Sequence, residues 1–92
     1  MMLYVISYDI PDDERRLKVA KILLDFGRRV QYSVFEAHLD WSSLENLKER
    51  LQKVISQAED SIRIYRICGE CKKFIVILGE GMVTQEPDVY VI

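Results

Sequence analysis

An α+β fold, an antiparallel sheet with both helices on one of its faces, is predicted by three observations. Apolar runs of strand length open the chain, recur over residues 29–39 and 61–68, and return at 73–78. Between them, two stretches carry apolar residues at helical spacing, Leu17 to Phe26 and Leu44 to Ala58. The opening run, Leu3 to Tyr8, delivers one acid, Asp9, to its end, just before Pro11. Strands disfavour Asp, so Asp9 is either a turn residue or a functional group at the rim of the sheet.

Ninety-two residues make a single domain, 1–92, near the lower end of what buries an adequate core. Such a chain removes roughly 60–70 % of its unfolded surface from water, so stability is modest unless subunits associate. At 49 % hydrophobic and 30 % charged residues the composition is that of a globular protein and excludes a disordered tail. No basic stretch precedes the opening apolar run, and none approaches the ~20 residues of a membrane span. A cytoplasmic protein with no membrane partner is expected.

The first strand covers residues 2–8, apolar on both faces as at the centre of a sheet. Pro11 sets the turn, Asp12 or Asp13 caps the helix, and Asp12, Asp13 and Glu14 sit at its positive end. That helix is expected to run to about Phe26, with Gly27 as a left-handed stop. Its apolar arc comprises Leu17, Val19, Ala20, Leu23, Leu24 and Phe26, and Arg16 falls inside it. A guanidinium there must snorkel to the rim or meet an anion, and from the first turn it points back toward Asp9.

Residues 29–39 read as the second strand, with Phe35, Ala37 and Leu39 on one face and Val34, Glu36 and His38 on the other. A capping box at Ser42-Ser43-Leu44-Glu45 opens the second helix, with Trp41 placed to staple onto it. The third strand spans 61–68 and the fourth 73–78. Residues 78–92 are expected to form a C-terminal tail, in which Asp88 to Ile92 could make a fifth short strand. An apolar terminal strand is an open edge that pairs more readily than it dangles, so a dimer strand is expected. The architecture is assigned as ferredoxin-like, βαββαβ, with both helices on one sheet face. The other face, apolar but uncovered in a monomer, calls for a homodimer.

A net charge of −2 hides an internal division. Between Arg15 and Arg29 stand Arg15, Arg16, Lys18, Lys21, Arg28 and Arg29 against the single acid Asp25. Arg63, Arg66, Lys72 and Lys73 face only Glu70 between Ser61 and Lys73. Local fields recruit phosphate, so a polyanion partner remains open beside the plainer reading of solvated faces.

Cys68 and Cys71 form Cys-Gly-Glu-Cys. A structural zinc site needs about four ligands, and His38 is the only other soft candidate. A redox pair normally opens a helix after a strand. Here Lys72, Lys73 and another apolar run follow at once, which reads as a tight strand–strand connection. A metal shared across a dimer is the remote alternative.

One carboxylate cannot hydrolyse much unaided, because acid–base work needs a second group and a hard cation prefers several oxygens. A two-fold dimer would supply two Asp9 carboxylates, able to hold one Mg²⁺ that activates water or neutralises a phosphodiester transition state. Serine catalysis is weak, since Ser7 and Ser33 lie in strands and His38 sits away from Asp9. No Gly-rich phosphate loop is present. An RNA-recognition module would need an aromatic strand that residues 72–77 lack.

The stretches Tyr4-Val5-Ile6-Ser7-Tyr8-Asp9-Ile10-Pro11-Asp12-Asp13 and Arg29-Val30-Gln31-Tyr32-Ser33-Val34-Phe35-Glu36, with the basic helix between them, closely resemble the second of the two core CRISPR spacer-acquisition proteins. The resemblance covers nearly the whole chain. It implies a ferredoxin-like homodimer with Mg²⁺ or Mn²⁺ bound by the aspartate ending the first strand, near the two-fold axis. It further implies a CRISPR-associated endonuclease, or endoribonuclease, acting on single-stranded RNA or double-stranded DNA in antiviral defence, together with an integrase partner. The metal aspartate corresponds to Asp9, and the surrounding catalytic positions to Tyr8, Arg16, Arg29 and Phe35. Nucleic-acid contacts are expected from Arg15, Arg16, Lys18, Arg28 and Arg29. Lys18 stands where arginine is frequent, keeping the charge but losing the bidentate fork. The alternatives are a non-catalytic dimer that bridges integrase subunits and clamps DNA and, more remotely, a toxin-like ribonuclease.

Overall fold

Alternation along the first strand sets the architecture. A computed structural model describes residues 1–85, so the fifth strand expected over 88–92 lies outside the described residues. Strand β1, Met2–Asp9, turns Tyr4, Ile6 and Tyr8 toward the helices and Leu3, Val5, Ser7 and Asp9 to the opposite face. It is followed by α1 (Asp13–Leu24), β2 (Arg28–Gln31), β3 (Val34–Leu39), α2 (Trp41–Gln52), β4 (Ser61–Ile67) and a 3-10 turn at Cys71–Phe74. The sheet order is β2-β3-β1-β4, and every adjacent pair is antiparallel. This is the ferredoxin-like arrangement, with β1 central and both helices packed on one face.

The predicted class holds, but two of its strands arise differently. Residues 29–39 are not one strand. A hairpin at Tyr32-Ser33 splits them into β2 and β3, with a register irregularity between Arg29 and Gln31. The alternation continues unchanged through Phe35, Ala37 and Leu39, which is why the core face was legible while the turn was not. Residues 73–78, expected as a strand, begin in the 3-10 turn and leave it without joining the sheet. The four strands of βαββαβ therefore come from the hairpin, not from that run.

The core gathers Tyr4, Ile6, Tyr8, Ile10, Val19, Ala20, Leu23, Phe35, Ala37, Leu39, Leu44, Leu47 and Leu51. In α1 the buried stripe is Val19, Ala20 and Leu23. Leu17 and Leu24, placed in the apolar arc from sequence, are 63 % and 58 % exposed, because the sheet contacts a narrower stripe than the wheel suggests. Asp12 caps α1 by accepting from the Arg15 amide. Gly27 is not a left-handed stop, since the helix ends through Asp25 in right-handed geometry. A Cβ on Gly27 would meet the Glu36 carbonyl oxygen and stand 2.6 Å from the Ala37 Cβ, so glycine is needed for close approach to β3. Asp40, not Ser42, caps α2, accepting from the Ser43 amide at 2.8 Å. Hydrogen bonds from Ser43 and Ser42 hold its carboxyl below the usual range. Trp41 opens the helix and is 72 % exposed.

The second sheet face is not bare throughout. Residues 75–82 flank β2 and β3, and Thr84 is latched to this face. Its amide and hydroxyl donate to Glu36 Oε1, Arg28 Nε donates to its hydroxyl at 2.9 Å, and His38 Nε2 bonds its carbonyl oxygen at 2.9 Å. His38 is thereby only 7 % exposed. The β1–β4 end of the face, bearing Asp9, Arg63 and Tyr65, stays open. No helix among the described residues is long and apolar enough to cross a membrane.

Candidate functional site

Asp9 ends β1 beside Ser61 of β4, exposed and on the face away from the helices. A shallow groove there is lined by Ser7, Tyr8, Asp9, Ser61 and Arg63. Antiparallel register brings them together, pairing Ser7 with Arg63 and Asp9 with Ser61. In the sequence Arg63 stands only as part of a basic stretch. Its phase in β4 was readable, but β4's place next to β1 is a matter of topology. His38 shares this face yet pairs with Leu3, six residues from Asp9 along β1, roughly 20 Å at ~3.3 Å per residue.

Of the other expected catalytic residues, Tyr8 lines the same groove as Asp9, whereas Arg29 and Phe35 do not. Tyr8, Arg29 and Phe35 assemble on the helix side of the sheet. The Tyr8 and Phe35 rings lie 6.3 Å apart, and the Arg29 guanidinium stands 5.2 Å from the centre of the Phe35 ring. Arg29 Nη2 approaches the Tyr8 hydroxyl at 3.4 Å. Phe35 is wholly buried, which is the packing role of a core aromatic. Arg16 turns back toward the strand end as expected. Its Nη1 donates to the Ile10 carbonyl at 2.8 Å, and its Nη2 pairs with Asp13. It fastens the β1–α1 turn just beyond Asp9.

The residues expected to meet nucleic acid are engaged to different degrees. Arg15 forks onto Asp60 and reaches Glu59, tying α1 to the segment before β4. Arg28 is held by Thr84 and by the Met82 carbonyl. Lys18 pairs with Glu14 at 3.6 Å and remains largely exposed. Such a surface pair contributes ~0–1 kcal/mol, so Lys18 is readily released to an anion.

A four-stranded sheet ordered β2-β3-β1-β4, two helices on one face, and an exposed acid ending the central strand define a ferredoxin-like protein with its polar groove at the β1–β4 end. A family model described as CRISPR associated protein Cas2 matches residues 2–75. The chain belongs to that family. It is similar to the CRISPR-associated endoribonuclease Cas2 3 of Synechocystis, 48 % identical over 87 residues that cover 95 % of each chain. Among solved structures, a hypothetical protein from Thermus thermophilus is 42 % identical, with a TM-score of 0.81 over 91 % of this chain and 98 % of that one. A chain of a partial Cas6-RT-Cas1–Cas2 complex is 29 % identical, with a TM-score of 0.75 over 85 % of this chain and 91 % of that one.

Proposed function

We propose that this chain acts in CRISPR spacer acquisition as a Mg²⁺-dependent endonuclease whose centre is completed by a homodimer. The observation that carries the reading is Asp9 itself, exposed at a strand end on the open part of the helix-free sheet face. One carboxylate beside the hydroxyls of Ser7 and Ser61 offers a hard cation too few oxygens. Among the described residues, no three His, Cys, Asp or Glu side chains are grouped so as to hold a metal ion. Two copies meeting through this face would contribute two carboxylates, a number that suits Mg²⁺ or Mn²⁺ with water completing the shell. The bound ion would supply an activated water and neutralise charge on a phosphodiester. Asp9 would hold the ion, Arg63 would receive the phosphate, and Arg16 would keep the Ile10–Pro11 turn in place beneath them. The names of the relatives favour RNA as substrate.

The test compares wild type, Asp9→Asn and Arg63→Ala on single-stranded RNA and duplex DNA, with and without Mg²⁺. Asp9→Asn is expected to abolish cation-dependent cleavage while keeping the wild-type melting temperature. Equal cleavage by wild type and Asp9→Asn would identify a contaminating nuclease and end the assignment.

A second reading, a non-catalytic dimer that bridges integrase subunits and clamps DNA, is favoured by the placement of Arg29 and Phe35 on the opposite side of the sheet from Asp9. The likeness to a chain of a Cas1–Cas2 complex supports it as well. Spacer acquisition in cells that carry only Asp9→Asn decides between the two. Full acquisition supports the bridge, and its loss supports the enzyme.

A further inference from the structure

The Cys68–Cys71 pair stands outside the site described above, and its geometry departs from the strand–strand connection that the sequence suggested. Strand β4 ends at Ile67, and Cys71 opens the 3-10 turn, so the second cysteine does begin a helical turn just after a strand. Both thiols are free and exposed. Their sulfurs lie 2.7 Å apart, and the Cys71 backbone N–H donates to Cys68 Sγ at 3.1 Å. A Cβ at Gly69 would meet nothing within 4 Å, so the intervening loop has room to adjust.

The two sulfurs are not equivalent. The Cys71 thiol, then its backbone N–H, and more weakly the charge of Arg66 favour a Cys68 thiolate and draw the Cys68 thiol below its usual value. The same proximity pushes the Cys71 thiol up. Little else fastens this region. The 3-10 turn buries no side chain and is held by local bonds, from the Lys72 amide to the Cys68 carbonyl at 3.1 Å and from the Ile75 amide to the Lys72 carbonyl at 3.2 Å.

We propose that Cys68 and Cys71 form a thiol–disulfide exchange site that converts reversibly to an intramolecular disulfide with low-molecular-weight disulfides. The Cys68 thiolate attacks one sulfur of the small disulfide. That S–S bond breaks, and the departing thiolate takes up the proton that Cys68 released to water. Cys71, losing its own proton, then attacks Cys68 Sγ in the mixed disulfide, and the second half leaves as a thiol. Two protein thiols are oxidised and one small disulfide is reduced to two thiols, so atoms and electrons balance. The sulfurs need to close by well under ~1 Å to reach the ~2.05 Å of the bond. The bridge would tie the end of β4 to the turn from which residues 75–85 cross the second sheet face. Oxidation would therefore fix where that segment departs.

The full-length protein is equilibrated in glutathione mixtures from fully reduced to fully oxidised, quenched in acid, alkylated and weighed intact. The expected product has lost two hydrogens, carries no glutathione, resists alkylation at both cysteines and runs as a single chain on a non-reducing gel. Cys71→Ser is expected to stop with one glutathione on Cys68, and Cys68→Ser to react several-fold more slowly. Two alkylatable thiols in the most oxidising mixture would overturn the proposal, as would glutathione on both cysteines or a disulfide between chains. Equal rates for the two single variants would overturn the assigned order of attack.

Discussion

Arg15 donates from Nε and Nη2 to the two oxygens of Asp60, whose side chain is closed to solvent, and the Ser56 amide donates to the same carboxylate at 2.8 Å. The Arg15 guanidinium foremost, with the Ser56 amide behind it, holds the Asp60 carboxyl below its usual range. The unfolded chain carries this group near the ordinary ~3.9, so its contribution to stability is present above about pH 4. It is lost as pH falls through the lower folded value. Asp60→Asn is therefore expected to lower the melting temperature at pH 7, with the gap to wild type closing in acid. Thermal unfolding followed at pH 7 and near pH 2 reads the difference, and a gap that stays constant would refute the linkage. Phe35, without exposed surface beneath the Arg29 guanidinium, makes a different prediction. Phe35→Ala is expected to cost ~3–5 kcal/mol in denaturant unfolding, because it removes a core aromatic and leaves Tyr8 and Arg29 without their packing surface.

At the scale of elements, the α1–β2 connection presses its backbone against β3. The Gly27 amide closes the last turn of α1 by donating to the Leu23 carbonyl at 2.9 Å, and the chain enters β2 with no room for a side chain. Gly27→Ala is expected to destabilise the protein by ~1–3 kcal/mol as overpacking against Ala37 and the Glu36 carbonyl. A variant with the wild-type unfolding midpoint would show that the hairpin shifts freely. The cap of α2 offers a comparison, since Asp40 supplies the orphan amide with its partner. Asp40→Ala is expected to unfold more easily at neutral pH in the same assay.

Over the whole molecule, a four-stranded sheet with two helices on one face leaves its second face to be covered by other means. Residues beyond the 3-10 turn cover the β2–β3 half through Thr84, Glu36, Arg28 and His38. The β1–β4 half, with Asp9 and Arg63, stays open. Truncation after Gly81 is expected to uncover His38 and the sheet face around it and to raise binding of a hydrophobic dye, without unfolding the helix-side core. Unchanged dye fluorescence would mean that the residues removed shield no apolar surface. The division of the face also states what a second copy would have to meet, an acid and an arginine at one end and a polar latch at the other.

Periodicity and punctuation in the sequence were enough for the class of fold, β1, both helices, β4 and the core face of Phe35, Ala37 and Leu39, because these depend on local alternation and on Pro11. The same local signals singled out Asp9, since an acid at the end of an apolar strand is anomalous without reference to any neighbour. They also placed Arg16, whose first-turn position could reach only backward, to the Ile10 carbonyl. What they did not contain was pairing. Whether 29–39 is one strand or a hairpin depends on β3 finding β1, and whether 73–78 joins the sheet depends on an edge that other strands already occupy. Arg63 becomes a neighbour of Asp9 only once β4 lies beside β1, and alternation turns the Tyr8 ring to the helix side while Asp9 faces away from it. Thus the sequence by itself determined the elements and the exceptional carboxylate, whereas tertiary structure alone decided which side chains share its face, because register is a long-range property.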